Sequence, residues 1–576
     1  MILMASPVEI LLAGLPLLLV GILLVGFLWP ATRATPISWL VAVGVGYVVW
    51  NNPPEYLAGA SIVGVMTALE ILWIIFGALV LLYMLMEAGA FDRINEGFAS
   101  VSEDRRVQIV LIAFFLTTFI EGAAGFGSAA AVAAPLMLAL GFPALAAVVA
   151  ALIGHTIAVT YGAVGTPIHV GVESPLQIHQ EQIVQEGEMS LSTFATEVAA
   201  WAATLHTLVG FVMPLFAVGM VVYFFDSKDE RSLKPLLQVW PLCLFAGVAF
   251  AVPYWLSAWF LTAEFPSIIG AMVGGALTIA ALRAGYLQPD DEWEFPAREE
   301  WPSHWVGTIE PGSNGDSSGG TPDSGPSMSL LKAWAPYILL VGLLIVTRVI
   351  EPVPQLLVET PGFVIEWTTI FGYENLSAEI EWINAPGFWL LVSASVAIPL
   401  YGMNGEQVKS AWTKAGKKIV SPVIALVFVI AMVEVMINSG DAPGAHDAGS
   451  MMDVLAITTA NIAGAAYPSI VALIGALGAA MAGSNTVSNI AFGSFHFTAA
   501  QELGLPTQII VAAQTVGGAV GNIVAIHNVV AALATVGLVG QEGRTIRLNL
   551  IPVIYYTVFV GLWTMVFTYV FFPNIF

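Results

Sequence analysis

Long apolar stretches separated by short polar segments run through the whole 576-residue chain. A helix that crosses a bilayer needs about 20 mainly apolar residues. Twelve stretches meet this requirement, and they are 10–29, 35–51, 59–87, 143–170, 193–225, 236–258, 265–285, 330–350, 386–403, 417–437, 506–538 and 548–572. The pattern therefore predicts an all-α polytopic membrane protein with about 12 transmembrane helices.

Two further apolar stretches, 107–140 and 469–503, carry glycine and polar residues near their middle. Each arm of about 14 residues would give about 21 Å of helix, which is too short to cross a hydrocarbon core of about 30 Å. We therefore predict two re-entrant helical hairpins. Short amphipathic stretches at 91–101 and 451–463 precede the hairpins and are predicted to lie at the membrane interface.

The two interruptions belong to a pattern that occurs twice. Glu121-Gly-Ala-Ala-Gly-Phe-Gly127 and Gly483-Ser-Asn-Thr-Val-Ser-Asn489 are each followed by a Gly-x-Pro turn and a long helix rich in glycine. The spacing is equal, since 484 − 121 and 504 − 141 both give 363. Secondary transporters place their substrate sites at such duplicated broken segments, because unwound backbone at membrane depth is tolerated only where it lines a cavity. The pattern therefore indicates a transporter.

The basic residues indicate how the chain is oriented. If both termini lie outside the cell, Arg348 is the only one of the 17 Lys and Arg residues that is not cytoplasmic, which agrees with the positive-inside rule. The first hairpin then enters from the cytoplasm and the second from outside, which predicts an inverted repeat. The first membrane half is 1–285 and the second is 330–576. The polar cytoplasmic linker 286–329 is rich in Pro, Gly, Ser and Asp and is predicted to be disordered or loosely packed.

The composition supports the membrane class and narrows the chemistry. The chain is 58% hydrophobic and 10% charged, with a mean hydropathy of +0.85, well outside the range of soluble domains. A net charge of −23 with few lysines suggests a high-salt habitat such as that of a halophilic archaeon, and an acidic bacterial protein is the alternative. Cys243 is the single cysteine, which excludes an intrachain disulfide and a thiolate metal cluster. The predicted partners are the lipid bilayer and small solutes, and no nucleic acid.

The hairpin tips carry the candidate binding groups. A helix that restarts at a tip presents free N–H groups to an anion, and Gly125 and Gly127 allow a ligand to approach the backbone. The second tip offers hydroxyl and amide groups that suit an anion or a dehydrated cation, from Ser484, Asn485, Thr486, Ser488 and Asn489. The alternative is that small residues at the tips only allow close helix packing.

Glu121 is the strongest single candidate for a functional residue, because burying a carboxylate at a helix break costs free energy unless the carboxylate is paired, hydrated or protonated. We predict that it carries a proton. The alternative is a structural carboxylate that caps the N–H groups of the returning arm. Glu70 and Glu434 also lie within predicted spans, and a structural role is favoured for both.

The long helices after the hairpins contain polar residues among their glycines. These candidate substrate-binding residues are His155, Thr156, Gln514, Thr515, Asn522 and His527. A helix with this composition at membrane depth is predicted to be broken and to face the cavity. For the two histidines, a hydrogen bond to a neighbouring carbonyl is the favoured alternative.

At these residues the chain resembles the L-lactate permease family. The resemblance covers most of the chain and is strongest at Glu121 to Gly127, at Tyr161-Gly-Ala-Val-Gly-Thr-Pro-Ile168, at Gly483 to Asn489 and at Val516-Gly-Gly-Ala-Val-Gly521 with Val536-Gly-Leu-Val-Gly540. It implies uptake of lactate, glycolate and related 2-hydroxy monocarboxylates with a co-transported proton across the plasma membrane, without a cofactor.

Other functions remain open from the residues alone. A sodium-coupled transporter of another small organic anion is one alternative, because amides, hydroxyls and free carbonyls bind hard cations well. An intramembrane enzyme is disfavoured because the chain has no zinc-protease, hydrolase-elbow or nucleotide-loop motif. A channel is disfavoured because the acid and amide tips do not require a continuous pore lining.

The chain departs from the family's pattern within the predicted site. Familiar bacterial lactate permeases carry Asp where this chain has Asn485 and Lys where it has Asn522, and His155 and His527 replace amides. The joint loss of both charges indicates that they form a pair in those relatives, since losing either alone would leave a costly buried charge. Helix ends, hydroxyls and a protonated His527 would then have to neutralise the substrate's carboxylate here.

Overall fold

The computed structural model describes residues 5–27, 29–125, 127–226, 231–309, 328–350, 352–538, 540–573 and 575–576. The central part of the predicted linker, 310–327, thus lies outside the described residues. Within them, eleven helices are long and apolar enough to cross a membrane, or twelve if the bent pair Ala144–Gly154 and Thr156–Gly187 forms one span. The protein is an all-α multi-pass membrane protein, which confirms the predicted fold class.

The helices of the first half, before the linker, are Pro7–Gly21, Ala31–Val48, Pro54–Glu87, Ala90–Ala99, Arg105–Ala124, Ser128–Ala139, Ala144–Gly154, Gly162–His169, Glu173–Leu176, Gln180–Gly187, Leu191–Gly210, Met213–Phe224, Lys234–Phe260 and Pro266–Arg283. Those of the second half are Leu330–Val349, Val353–Glu359, Pro386–Tyr401, Gly405–Asn438, Met451–Ala463, Tyr467–Ala482, Asn485–Glu502, Thr507–Gly521, Ile526–Thr535 and Glu542–Val566. Two short antiparallel strands, Ile365–Trp367 and Ala378–Ile380, lie in the polar segment 350–385.

Both predicted hairpins turn back at the predicted tips, but their arms are unequal. The first hairpin consists of Arg105–Ala124 and Ser128–Ala139, and its first arm has 20 residues, which is long enough to cross a membrane. It is longer than predicted at both ends, because the Asp104 carboxylate caps the helix before residue 107 and because the helix continues past Glu121 to Ala124, where Gly125 ends it. The second hairpin consists of Tyr467–Ala482 and Asn485–Glu502. Re-entry of either hairpin stays a prediction.

The helix after each hairpin is broken, as predicted. The first broken helix ends at Gly154, continues as a 3₁₀ helix to Tyr161 and restarts at Gly162, with left-handed φ values at Ala163 and Val164. The second broken helix changes to a 3₁₀ helix over Asn522–Val524 and restarts at Ile526. The spans Arg105–Ala124 and Thr507–Val524 are completely buried, so hairpin and broken helix lie at the centre of the bundle.

The beginning of the predicted linker, 286–309, packs on the membrane helices instead of staying loose. Its Trp305 is 6% exposed and lies 5.1 Å from the Phe225 ring, measured between ring centroids. The backbone N–H of Thr308 donates to the carbonyl of Gly537 at 2.8 Å, close to the end of the second broken helix. The aromatic residues of this segment explain the difference, because burying them against apolar helix ends is favourable.

Candidate functional site

The first tip is built by a helix end and two glycines. The backbone N–H of Gly125 donates to the carbonyl of Glu121 at 2.8 Å, and Gly125 then takes a φ of 64° that ends the helix. Gly127 has a φ of 67° and starts the returning arm. Side chains would not fit at either position, because a Cβ at Gly125 would lie 2.7 Å from Ala163 and one at Gly127 would overlap the amide of Asn528.

Glu121 lies at this tip with 1% of its surface exposed. Its carboxylate accepts hydrogen bonds from the backbone of Gly127 and Ala129, so it caps the returning arm. Its Oε2 atom has no hydrogen-bond partner among the described residues. The carboxylate therefore combines a structural contact at the tip with one oxygen that is left free for a ligand or a proton.

The second tip is a glycine followed by a helix cap. Gly483 has a φ of 65° and ends the first arm, and the Ser484 hydroxyl accepts from the N–H of Val487 at the start of the second arm. Asn485 follows with 2% exposure, and neither its Oδ1 nor its Nδ2 has a hydrogen-bond partner among the described residues. A buried amide without partners is costly, so Asn485 is available to bind a polar ligand.

The two tips and the two broken helices meet at one small cavity. It is lined by Glu121, Val159, Gly162, Ala163, Pro167, Ser484, Asn485, Thr486 and Asn522. Its volume of about 10 Å³ leaves room for roughly one water molecule. Carboxylate, hydroxyl and amide groups thus border one small space, which we call the central cavity.

Five of the predicted site residues line the central cavity, namely Glu121, Ser484, Asn485, Thr486 and Asn522. Three others hold its frame together. The Ser488 hydroxyl donates to the Gly475 carbonyl at 2.9 Å, Gln514 Nε2 donates to the Ser488 hydroxyl at 3.0 Å, and Asn489 Nδ2 donates to the Pro167 carbonyl at 2.9 Å. Their polar groups are thus taken up by hydrogen bonds to neighbouring helices, and none of the three is among the residues that line the cavity.

Three predicted residues lie outside this lining. Thr156 and Thr515 donate their hydroxyls to carbonyls of their own helices, Ile153 at 2.7 Å and Val511 at 2.9 Å. Such local hydrogen bonds are common for threonine within helices. His155 Nδ1 bonds the Ala151 carbonyl at 2.9 Å in the same way, and its Nε2 has no partner among the described residues.

His527 lies behind the second tip. Its Nε2 is 3.1 Å from the Gly483 carbonyl, and a Cβ at Gly483 would overlap the imidazole ring. The ring therefore supports the backbone at the turn of the hairpin, and it is absent from the lining of the central cavity.

The sequence reasoning missed the contribution of the first broken helix to the lining. Gly162, Ala163 and Pro167 lie in the motif Tyr161 to Ile168, which stood out as a shared pattern without an assigned role. The signal that could have identified them is the Gly-x-x-Gly-x-Pro arrangement, which breaks a helix at membrane depth. Asn528 was missed as well, and its amide nitrogen donates to the carbonyl of Asn522 at 3.2 Å.

Two larger cavities of about 720 and 530 Å³ lie beside the segment 350–385, which contributes residues to both. The second of these is lined by Glu70, His169, Glu173, Glu264 and Arg348 among others. We call it the outer vestibule, because the orientation predicted from the basic residues would place it on the extracellular side. The helix Gly162–His169 contributes Pro167 to the central cavity and His169 to the outer vestibule. This helix therefore forms part of the wall between the two spaces.

Comparison with known proteins gives consistent relatives. The sequence profile described as L-lactate permease matches residues 9–571. The L-lactate permease of Bacillus subtilis is 26% identical over 538 residues, covering 88% of this chain and 87% of that protein. The glycolate permease of Escherichia coli is 25% identical over 565 residues, covering 93% and 92%. Among solved structures, the YdaH transporter of Alcanivorax borkumensis aligns over 95% of this chain and 99% of that chain, with 14% identity and a TM-score of 0.47.

Proposed function

Because this chain belongs to the L-lactate permease family, we propose that it imports lactate and related 2-hydroxy monocarboxylates such as glycolate by proton symport across the plasma membrane. The observation that carries the proposal is the central cavity, where the carboxylate of Glu121 faces the polar run Ser484 to Thr486. Both breaks of the duplicated unit contribute to it, and secondary transporters bind their substrates at such a meeting point.

The substrate's carboxylate binds at the second tip. Backbone N–H groups at the start of Asn485–Glu502, the Ser484 and Thr486 hydroxyls and the amide of Asn485 are suited to an anion. The free amide of Asn485 supplies a donor that has no other partner among the described residues. The 2-hydroxyl group then faces Glu121, where it donates to the carboxylate or accepts from its protonated form.

Proton coupling follows from electrostatic exclusion at Glu121. An ionised Glu121 would repel a substrate carboxylate in a cavity where no cation is among the lining residues. Binding of a proton to its free oxygen Oε2 removes this repulsion and provides a donor. Substrate and proton therefore bind together, which is the thermodynamic requirement for symport.

Transport requires the central cavity to expand, because a space for roughly one water molecule does not hold a three-carbon acid. We propose that the hairpins and broken helices move as one unit against the remaining spans and expose the cavity alternately to each side. The N- and C-termini are proposed to remain extracellular during this movement.

The test is uptake and counterflow of labelled lactate in liposomes that contain the purified protein. We expect saturable counterflow and accumulation driven by a pH gradient that is acid outside the liposome. Competition with unlabelled glycolate, pyruvate, acetate and dicarboxylates ranks the substrates. Accumulation that responds to a sodium gradient and ignores the pH gradient would replace the proton with sodium, and flux without counterflow would indicate a channel.

A further inference from the structure

A buried ion cluster lies at the outer end of the first broken helix, and the proposed transport cycle has not yet used it. The carboxylate of Glu264, in the loop 261–265, is completely buried. Its Oε1 atom lies 2.6 Å from Nε of Arg348 and 3.1 Å from Nε2 of His169. The hydroxyl of Thr262 donates to its other oxygen. Two potential cations thus share a single carboxylate oxygen.

The cluster connects parts of the chain that are distant in sequence. His169 is the last residue of the helix Gly162–His169, and Arg348 lies near the end of Leu330–Val349 in the second half. Arg348 also donates from Nη2 to the carbonyl of Asn384 at 2.5 Å. The end of the broken helix is thereby tied to a loop of the first half and, through Arg348, to two elements of the second half.

The helix Gly162–His169, which these ion pairs hold in place, forms part of the wall between the central cavity and the outer vestibule. The loop that carries Glu264 presses directly on the break, since a Cβ at Gly165 would lie 2.7 Å from the Ala263 carbonyl. Pro167, two residues beyond Gly165, lines the central cavity, and His169 lines the vestibule. Moving this helix away from the cluster would connect the two spaces.

The charges around His169 favour its protonated form as a partner. Glu173 Oε1 lies 3.7 Å from His169 Nδ1, on the side of the ring opposite Glu264. The remaining carboxylates in the vestibule wall are those of Glu70, Glu379 and Glu381. Burial by itself would raise the pKa of Glu264, but His169 and Arg348 hold this pKa well below its usual range.

The pH dependence of the cluster follows from these charges. Because the pKa of Glu264 is lowered, the carboxylate stays ionised above that lowered value and loses its charge only when the pH falls through it. Burial by itself would lower the pKa of His169, but Glu264 and Glu173 raise it above the ordinary range of histidine, so His169 and Glu264 both stay charged between about pH 6 and about pH 8.

We propose that this cluster is the outer gate of the central cavity: Glu264 and Arg348 are positioning residues that hold the helix Gly162–His169 closed through the charged ring of His169. The inference rests on the proposed transport function and deepens it. A symporter has to close its outer side while its binding site opens to the inside, and ion pairs that form only when the helix lies against the cluster favour that closed state.

The experiment measures access to the central cavity and does not depend on the identity of the substrate. Cys243 is buried, and replacing it in a Cys243→Ser background leaves an introduced Thr486→Cys as the single thiol, located in the cavity lining. Its modification rate with a charged methanethiosulfonate reagent is measured on purified protein and divided by the rate of free cysteine at the same pH.

Adding Glu264→Gln should raise this normalised rate at least about tenfold, because the closed state loses the charge that both cations share. The matched control is Glu379→Gln, which removes a carboxylate from the same vestibule that forms no ion pair with His169 or Arg348 among the described residues, and it should leave the rate unchanged. Equal rates in Glu264→Gln and its parent would overturn the gate.

A second variant tests the contact of His169 with Glu264 and remains informative if Glu264→Gln does not fold. In the parent, the normalised rate should stay constant between about pH 8 and about pH 6, and His169→Gln should raise it at least about threefold at both pH values, because one of the two charges next to Glu264 is lost. Equal rates in His169→Gln and its parent would exclude His169. Wild-type protein without lactate or glycolate counterflow would refute the proposed function, and the access rates of the single-thiol variants would still decide whether the gate exists.

Discussion

At the scale of single residues, Glu121 combines two roles that the sequence presents as alternatives. Its carboxylate caps the returning arm of the first hairpin, and its Oε2 atom is left without a partner among the described residues. A carboxylate has two oxygens and about four acceptor positions, so both roles are compatible. The sequence predicts that Glu121 lies at the tip. Which carboxylate oxygen caps the returning arm and which stays without a partner depends on how the chain turns after Gly125.

The first prediction concerns proton coupling. Glu121→Gln keeps the shape of the side chain and removes the exchangeable proton, so accumulation driven by a pH gradient should fall at least about tenfold while lactate counterflow persists. The matched control is Glu434→Gln, a buried carboxylate that lies outside the central cavity and should retain coupled uptake. Unchanged proton-driven accumulation in Glu121→Gln would exclude Glu121 as the carrier.

The second prediction concerns Asn485 and Asn522, which line the same cavity. Asn485→Asp or Asn522→Lys alone should reduce lactate uptake at least about tenfold, because each introduces an unpaired buried charge. The double variant should recover a substantial part of the activity, because the two charges can pair. Uptake is measured in liposomes alongside the amount of folded protein. A double variant no better than the worse single variant would show that the positions do not interact.

The polar residues of the second tip show how far sequence reasoning reaches at this scale. The run Ser484 to Asn489 is predicted to bind the substrate as a group, yet Ser488 and Asn489 bind backbone carbonyls while the amide of Asn485 has no partner among the described residues. Residue type does not show whether such a side chain binds the protein backbone or stays available, because serine and asparagine form hydrogen bonds to unwound backbone and to ligands equally well. Only the position of the neighbouring carbonyls decides which side chain remains available.

At the scale of elements, the two copies of the duplicated unit are more alike in backbone conformation than in amino-acid sequence. Gly162 and Ala525, which are separated by the same offset as the hairpin tips, are both extended, with φ −64° and ψ 155° and with φ −64° and ψ 122°. A glycine and an alanine therefore break the two helices at equivalent places. The sequence predicts that both helices are broken, but the second break follows Asn522–Val524 without a glycine or proline to mark it.

The third prediction separates backbone strain from packing at a tip. Gly483 and Gly504 have similar φ values of 65° and 62°, but a Cβ at Gly483 would overlap His527 whereas nothing lies within 4 Å at Gly504. Gly504→Ala should therefore cost about 1 kcal/mol of stability, and Gly483→Ala should cost about 1–3 kcal/mol more. Thermal unfolding of the purified variants gives the comparison, and adding His527→Ala to Gly483→Ala should recover the difference. Equal shifts in Tm for both alanine variants would contradict this account.

At the scale of the whole molecule, hydropathy and charge predict the class and the number of spans well. The linker is where they fail, because average composition hides a few aromatic residues that bind the segment 286–309 to the helix ends. A polar average composition predicts that a segment is solvated. A single buried tryptophan is enough to hold part of such a segment against the helices. The arm Arg105–Ala124 differs because single residues set its ends, since Asp104 caps its start and the helix continues past Glu121 until Gly125.

The fourth prediction tests the orientation. Ala297 and Glu359 are exposed residues on segments that the basic residues assign to opposite sides, cytoplasmic for Ala297 and extracellular for Glu359. In the Cys243→Ser background, a membrane-impermeant thiol reagent should label Glu359→Cys in intact cells and Ala297→Cys only after lysis. The reverse result would place both termini in the cytoplasm.

The packing of 286–309 also determines how the protein tolerates engineering. This segment bridges Phe225 of the first half and Gly537 near the end of the second broken helix. A fluorescent reporter inserted before Thr308 would pull Trp305 out of its contact and disturb the end of a broken helix that is proposed to move, so a tag placed there should inhibit transport rather than act as a neutral label.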